Sequence, residues 1–291
     1  MRVRISVSSL ASVFALICVS CTTQSPSGRA AGFRFTVVDV GEGLSQIGTV
    51  GGDAVAWDVG DTGAAGNWIR AYAQAGAPYI RSIAISHSHA DHMGGLMTLP
   101  DSIRFSGEIV SSVFEDTALI RENCGSWAAR VRFRTIGQGD TMANLNGVTV
   151  QCVWPPKDLA ITTPVSDDYK NTYSLCFIAR YQSNSVLITS DIDTVAEQAL
   201  AATYGFSLLS DIIVVPHHGS SGSVNPVFYG YAAPSTAIIS CSSDNEYGHP
   251  AANVLAMLFQ MRVTLYQTSR EGTITAFTNG YYWTVSEEYA K

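Results

Sequence analysis

Short apolar runs that change period often mark this chain as strand-rich with interspersed helices. Residues 33–40 alternate apolar and polar and stop at the glycine turn of DVGEG, which predicts a strand running into a tight loop. Residues 45–50 and 54–59 predict two more strands, the second ending at Asp58 before Gly60. A helical spacing over 67–75, closed by Gly76 and Pro78, predicts a short amphipathic helix. Ile83 and Ile85 then read as the end of a strand that stops at Ser86. Further strands are predicted over 107–114, 131–136, 147–153, 174–181, 185–189, 211–215 and 236–240, with three at the end of the chain. Helices are predicted over 115–123, 194–204 and 251–261. Residues 154–171 carry three prolines and adjacent aspartates with no sustained period, which is loop chemistry. Strands in two sets with helices between them predict an α/β fold of two sheets packed face to face, helices outside.

Composition adjusts this picture in three places. With 291 residues, 46% hydrophobic and 14% charged, the chain can bury one large core. A formal net charge of −7 argues against a generic nucleic-acid coat, because phosphate affinity comes mainly from Lys and Arg. The three lysines are Lys157, Lys170 and Lys291, so any basic surface must use arginine; Arg130, Arg132 and Arg134, alternating on one predicted strand with Arg121 nearby, are the candidate stripe.

The N-terminus reads as an export signal rather than fold. Arg2 and Arg4 precede an apolar stretch over 10–19, and small residues lead into Cys21. The run is too short and serine-rich for a comfortable membrane span. ICVSC resembles a bacterial lipoprotein cleavage box with Cys21 as the lipidated residue, although Cys18 stands where leucine is usual. A plain secretory signal and an uncleaved anchor are the alternatives. The expected organisation is a signal over 1–20, a flexible linker over 21–32 and one domain over 33–291, in the cell envelope. Cys124, Cys152, Cys176 and Cys241 match no metal spacing; disulfides and simple burial both remain open.

The candidate chemistry sits in SIAISHSHADHMGGL, residues 82–96, where His87, His89, Asp91 and His92 fall within six positions after a strand end. Imidazole and carboxylate are the usual donors to zinc and similar metals. The other histidines are His217, His218 and His249, and all six follow predicted strands in Gly/Ser/Pro-rich loops. None occurs over 1–86 or 93–216, an unlikely spread for histidines placed by packing or solvation. The expectation is that they converge on one site. Asp191, where the apolar run of LITSDID ends, would join them from the same sheet edge. Asp193 reads as a helix cap, and Asp58 as a group that holds the histidine loop without ligating.

These residues resemble the metallo-β-lactamase superfamily through HxHxDH, here His87-Ser88-His89-Ala90-Asp91-His92. More narrowly, the chain resembles the hydrolase domain of the ComEC-type competence proteins that take up DNA. DVGEG, AWDVGD, SHSHADHMGG, NTYSL, ITSD, VVPHHGS, NEYGHP and EGTITA follow in order from about residue 34 to 278. The resemblance implies an αββα sandwich binding one or two divalent metal ions, zinc or manganese, and a metal-bound hydroxide attacking phosphodiesters, DNA among them. It implies His87 and His89 on the first metal, Asp91 and His92 on the second, and Asp191 between them. One member of the HH pair would complete the second site. His217 is taken as that ligand and His218 as a substrate-facing group, with His249 for substrate or proton transfer.

Two departures stand out. Glu42 and Leu44 replace the usual Gln and Asp of the glycine loop. No histidine lies between the HxHxDH loop and Asp191, so Asn171, Asp168 or water would complete the first metal, and a single ion is an alternative. The uptake channel that accompanies the family's hydrolase domain is not in this sequence, so DNA translocation is not expected of it. Trp127, Trp154, Tyr169 and Tyr173 could line a pocket for an organic cation, or pack in the core. The competing readings are therefore a phosphodiesterase, a hydrolase of phosphocholine- or phosphoglycerol-type esters, and a lipoprotein that keeps the fold without catalysis.

Overall fold

The computed structural model describes residues 32–160 and 164–289, so the segment expected to be an export signal and Cys21 lie outside the described residues. Strands β1 (Phe33–Val37), β2 (Ser45–Val50) and β3 (Asp53–Val59) form an antiparallel meander. Helix α1 (Ala65–Gln74) then crosses to β4 (Tyr79–Ile85), parallel to β3. One turn of helix, α2 (Ala90–Met93), leads to β5 (Phe105–Ser112), α3 (Thr117–Asn123) and β6 (Arg132–Ile136). The chain changes sheet at β7 (Thr141–Leu145) and continues through β8 (Val148–Trp154), β9 (Cys176–Tyr181) and β10 (Asn184–Ile188). Next come α4 (Thr194–Tyr204), β11 (Ile212–Val214), α5 (Pro226–Ala232), β12 (Thr236–Ile239), α6 (Ala252–Gln260) and β13 (Thr264–Gln267). The short α7 (Thr268–Glu271) returns the chain to the first sheet as β14 (Ile274–Thr278) and β15 (Trp283–Glu287).

The first sheet runs β15-β14-β1-β2-β3-β4-β5-β6 and the second β13-β12-β11-β10-β9-β8-β7. Both mix parallel and antiparallel pairs, as expected of this fold. Between them, the Trp57 ring meets Phe35 at 5.8 Å and Phe177 at 6.4 Å, joining the inner faces. The outer face of the first sheet is covered by α1, whose buried Trp68 and Tyr72 stack at 5.6 Å. The second is covered by α4, α5 and α6 through Leu200, Phe228 and Leu258. Fully burying a side chain of this size stabilises the fold by about 1.5–3 kcal/mol. Among the described residues no helix is long and apolar enough to cross a membrane.

Strand β7 and helices α2, α5 and α7 are absent from the sequence reading. In β7 only Met142 and Leu145 are buried, so this edge strand lacks a clear alternating signal. Four residues of α2 are too few to show a helical period. Cys124, Cys152, Cys176 and Cys241 are buried and, among the described residues, unpaired.

Parallel pairing decides where the chemistry falls. The β3–β4 pair and the β10–β11–β12 run put the carboxyl ends of these strands, and the loops that follow, on one rim.

Candidate metal centre

Asp58 ends β3 in a left-handed conformation (φ 52) with its carboxylate buried. Oδ1 accepts the Ser86 N–H at 2.8 Å, and Oδ2 accepts the Ser86 hydroxyl at 2.7 Å. Oδ2 also accepts from Nδ1 of His92 at 2.9 Å. A carboxylate can only accept, so Nδ1 of His92 carries the hydrogen and Nε2 is left facing the site. The same logic applies to His218, whose Nδ1 lies 2.9 Å from the Ser240 carbonyl oxygen. Asp58 thus holds the loop from behind, as its position at a strand end suggested. Ser86 and the Ser240 carbonyl had no recognisable signature in sequence, because any strand-end serine or carbonyl looks alike there.

Asp91, His92, Asp191 and His218 form a four-residue group whose candidate ligand atoms lie within 4.8 Å of one another. Nε2 of His92 is 3.2 Å from Oδ2 of Asp191 and 3.5 Å from Oδ2 of Asp91. Nε2 of His218 is 3.5 Å from both oxygens. These are ion-pair distances without hydrogen-bond alignment. Both Nε2 atoms and Oδ1 of Asp191 are buried with no hydrogen-bond partner. Buried polar atoms are rarely left this way unless something else fills the role. Two imidazoles and two carboxylates, the outer imidazole nitrogens already tied back, are a donor set that fits zinc or manganese.

The electrostatics agree. Burial opposes the charged form of His92, but Asp191, Asp58 and Asp91 outweigh it and push the imidazole well above its ordinary range. Burial likewise opposes a charged His218, yet Asp191 and Asp91 raise it to about 10. Asp191 is buried, which favours its neutral form, but His92 and His218 hold it well below the usual carboxylate range. The cluster demands positive charge between two carboxylates, which protons or a bound cation can meet.

The HH pair corrects the sequence reading. His217 was expected in the ligand group and His218 toward substrate; the four-residue group that could hold an ion contains His218 and not His217. Both residues are left-handed (φ 50 and φ 54), and this turn buries His218 against Ser240 while leaving His217 part exposed. His217 lies 3.9 Å from Asp191, and its Nε2 is 3.3 Å from the Asn171 amide nitrogen. Burial lowers its imidazole, and that of buried His87 falls well below the ordinary range for the same leading reason.

His87 and His89 meet each other rather than a third donor. Nδ1 of His87 is 3.0 Å from the Ser86 hydroxyl, and its Nε2 is 2.9 Å from Nδ1 of His89. His89 lies 3.7 Å from Asp167. The side chain of Asp168 lies outside the described residues. His249 lines the same pocket of about 440 Å³ with Glu42, Asp61, Asn171, His217 and Tyr247. Asp193 caps α4 by accepting the Val195 and Ala196 N–H groups. All six histidines therefore gather on one rim.

The arginine stripe belongs elsewhere. Arg132 and Arg134 lie on β6 at the first-sheet edge, Arg134 pairing with Glu108 at 2.7 Å, and Arg130 pairs with Asp101. Arg121 lies over the Phe133 ring at 4.0 Å. Among the described residues no Lys or Arg lines the pocket. Trp127 and Trp154 are buried, so packing explains them, and Tyr247 is the aromatic residue at the pocket.

No family model matches the chain. It is 26% identical over 253 residues to competence protein ComA of Neisseria gonorrhoeae, covering 86% of this chain and 32% of that protein. It is 25% identical over 249 residues to Recombination protein 2 of Haemophilus influenzae, covering 83% and 28%. The chain thus spans about a third of the length of these curated relatives. Among solved structures, the metallo-beta-lactamase fold protein YhfI of Bacillus subtilis superposes with a TM-score of 0.52 at 12% identity, covering 81% of this chain and 95% of that one.

Proposed function

From a chain that has the metallo-β-lactamase fold and resembles competence proteins over most of its length, we propose an exported, metal-dependent hydrolase of phosphodiesters, DNA among its candidate substrates. One observation carries this reading: Nε2 of His92, Nε2 of His218 and the Asp91 and Asp191 carboxylates converge, with both Nε2 atoms and Oδ1 of Asp191 buried and unpartnered. These four residues would hold the ion. His87 and His89 would hold a second where one binds. A divalent ion in this set would acidify a coordinated water and stabilise charge on phosphoryl oxygens. Around it, Asp58 keeps the His92 ring in its ligating orientation, and Ser240 does the same for His218. His249 and His217 line the pocket where the ester would lie, and His249 is assigned to give a proton to the leaving oxygen as the phosphorus–oxygen bond breaks.

A second reading is a small ester carrying an organic cation, such as a phosphocholine. It is favoured by a pocket lining without Lys or Arg among the described residues and by exposed Tyr247, stacked on His249 at 5.6 Å. The export signal and Cys21 would place the protein in the bacterial envelope on a lipid anchor, which the mass of the mature N-terminus tests. For the function, metal content is measured first. Turnover is then compared on single-stranded DNA, duplex DNA, bis-p-nitrophenyl phosphate and p-nitrophenyl phosphorylcholine with added manganese. Asp191→Ala should abolish turnover at unchanged melting temperature. A metal-free protein inert on the whole panel would leave the non-catalytic lipoprotein as the better account.

A further inference from the structure

Opposite the histidine rim lies a second end of the sandwich, where β1, β4, β5 and β13 begin and β9 and β14 finish. Charge is divided between the two ends. The rim loops carry Glu42, Asp61, Asp91, Asp167, Asp191 and Glu246. The base carries Arg81, Arg104, Arg130, Arg180 and Arg262, with Asp53, Asp101 and Asp211 among them. Asp53 pairs with Arg81 and Asp101 with Arg130, whereas Arg104, Arg180 and Arg262 make no ion pair among the described residues. Apolar side chains protrude at the same end. The turn between β14 and β15 lifts Tyr281 and Tyr282 into solvent, 79% and 62% exposed, and Phe206 and Leu209 are exposed in the loop from α4 to β11. The turn is firmly held: Ser183 donates to the Gly280 carbonyl, the Gly280 N–H donates to the Thr278 hydroxyl at 2.8 Å, and the Trp283 indole donates to Asp211 at 3.2 Å. Arg81 and Arg104 lie over the Tyr79 ring at 5.0 and 4.7 Å. The chain also enters the fold here, since Phe33 at the start of β1 pairs with Thr278 just before the turn.

We propose that this base is a docking surface for a lipid bilayer with anionic headgroups. Tyrosine pairs an apolar ring with a polar hydroxyl and settles at the headgroup level. Arginine lays its stem along apolar surface and carries its charge to the lipid phosphates. The acidic rim is repelled by the same surface, so the charge division also sets the orientation. Arginines and tyrosines would suit a nucleic acid too, but the point of chain entry favours the bilayer. Eleven positions separate Cys21 from Gly32, a reach of at most about 40 Å when fully extended. A lipid on Cys21 would therefore tether the base, not the rim, to the membrane, and one acyl signal gains a firm hold from a second, basic one. Docked this way, the protein turns its histidines away from the bilayer, toward substrates dissolved in water. The proposal goes beyond the hydrolase reading and does not depend on it.

The test uses the full chain carrying Cys21→Ser, so that no lipid is attached, with vesicles of phosphatidylglycerol or of phosphatidylcholine. Sedimentation should show binding at least about tenfold tighter to phosphatidylglycerol. Arg104→Gln and Arg262→Gln should each weaken that binding about fivefold. Tyr281→Ser combined with Tyr282→Ser should lower the bound fraction on both lipids at an unchanged melting temperature. Fluorescence then reports the contact itself, whatever else holds the chain to the vesicle. Lipids brominated near the headgroup should quench Tyr281→Trp beyond the parent protein and leave Ser221→Trp, on the rim, at the parent level. Equal affinity for the two lipids, unchanged binding in both arginine variants, or quenching at position 221 as strong as at 281 would overturn the proposal. So would a single-stranded oligonucleotide that binds, and is lost in the same arginine variants, while vesicles do not bind; the base would then be a nucleic-acid surface. Turnover enters none of these readouts, so their failure leaves the hydrolase reading intact.

Discussion

Left-handed backbone at non-glycine residues is costly, on the order of 1–3 kcal/mol each. In this protein Asp58, Ser190, His217 and His218 all adopt it around the site. At the HH pair this conformation decides which imidazole turns inward. His218→Ala should therefore strip the protein of tightly bound metal, while His217→Ala keeps the metal and loses turnover; metal analysis after dialysis distinguishes them. Asp58 has a different job, since it orients His92 without joining the ligand group. Asp58→Ala should weaken zinc binding by about 10- to 100-fold, read by competition with a chromophoric chelator.

At the scale of elements, the glycine loop after β1 is packed directly onto α2, the helical turn that carries Asp91 and His92. The Leu44 N–H donates to the Asp91 carbonyl at 3.1 Å, and Gly43 (φ 123) lies so close that a Cβ would collide with that carbonyl oxygen. Gly43→Ala combines this clash with a backbone conformation that alanine rarely adopts. It should destabilise the protein by about 1–3 kcal/mol and displace Asp91, measured as a lower melting temperature together with weaker metal binding. The Gly43 requirement was legible as DVGEG, a strand ending in a turn. Its contact with Asp91 was not, because 48 positions separate the two in the chain. The same limit let Arg130 and Arg134 look available when Asp101 and Glu108 already hold them.

At the scale of the whole molecule, one buried acid shapes stability against pH. Glu197 on α4 is fully buried, and Oε2 accepts the Asn225 N–H at 2.8 Å while Oε1 has no partner. Burial pushes its carboxyl up to about 8. The folded state therefore holds this proton more tightly than the unfolded chain, whose glutamate titrates near 4.3. Below about pH 4 both states are protonated and the group is neutral to stability. Between there and pH 8 the unfolded chain ionises first, so this group's cost to the fold grows with pH and is complete above 8. Glu197→Gln should raise the melting temperature at pH 8.5 far more than at pH 5, and an equal gain at both would refute the assignment.

The amino-acid sequence by itself determined the class of the fold and the loops from which the candidate site is drawn. Both are written in local period, in strand-end placement, and in donor residues confined to a few loops. Which member of the HH pair turns inward, and that His87 and His89 contact each other, were decided only by the tertiary structure. Those relations depend on parallel strands far apart in sequence ending on one rim, and on backbone conformations at the turns beyond them that no spacing of residues encodes.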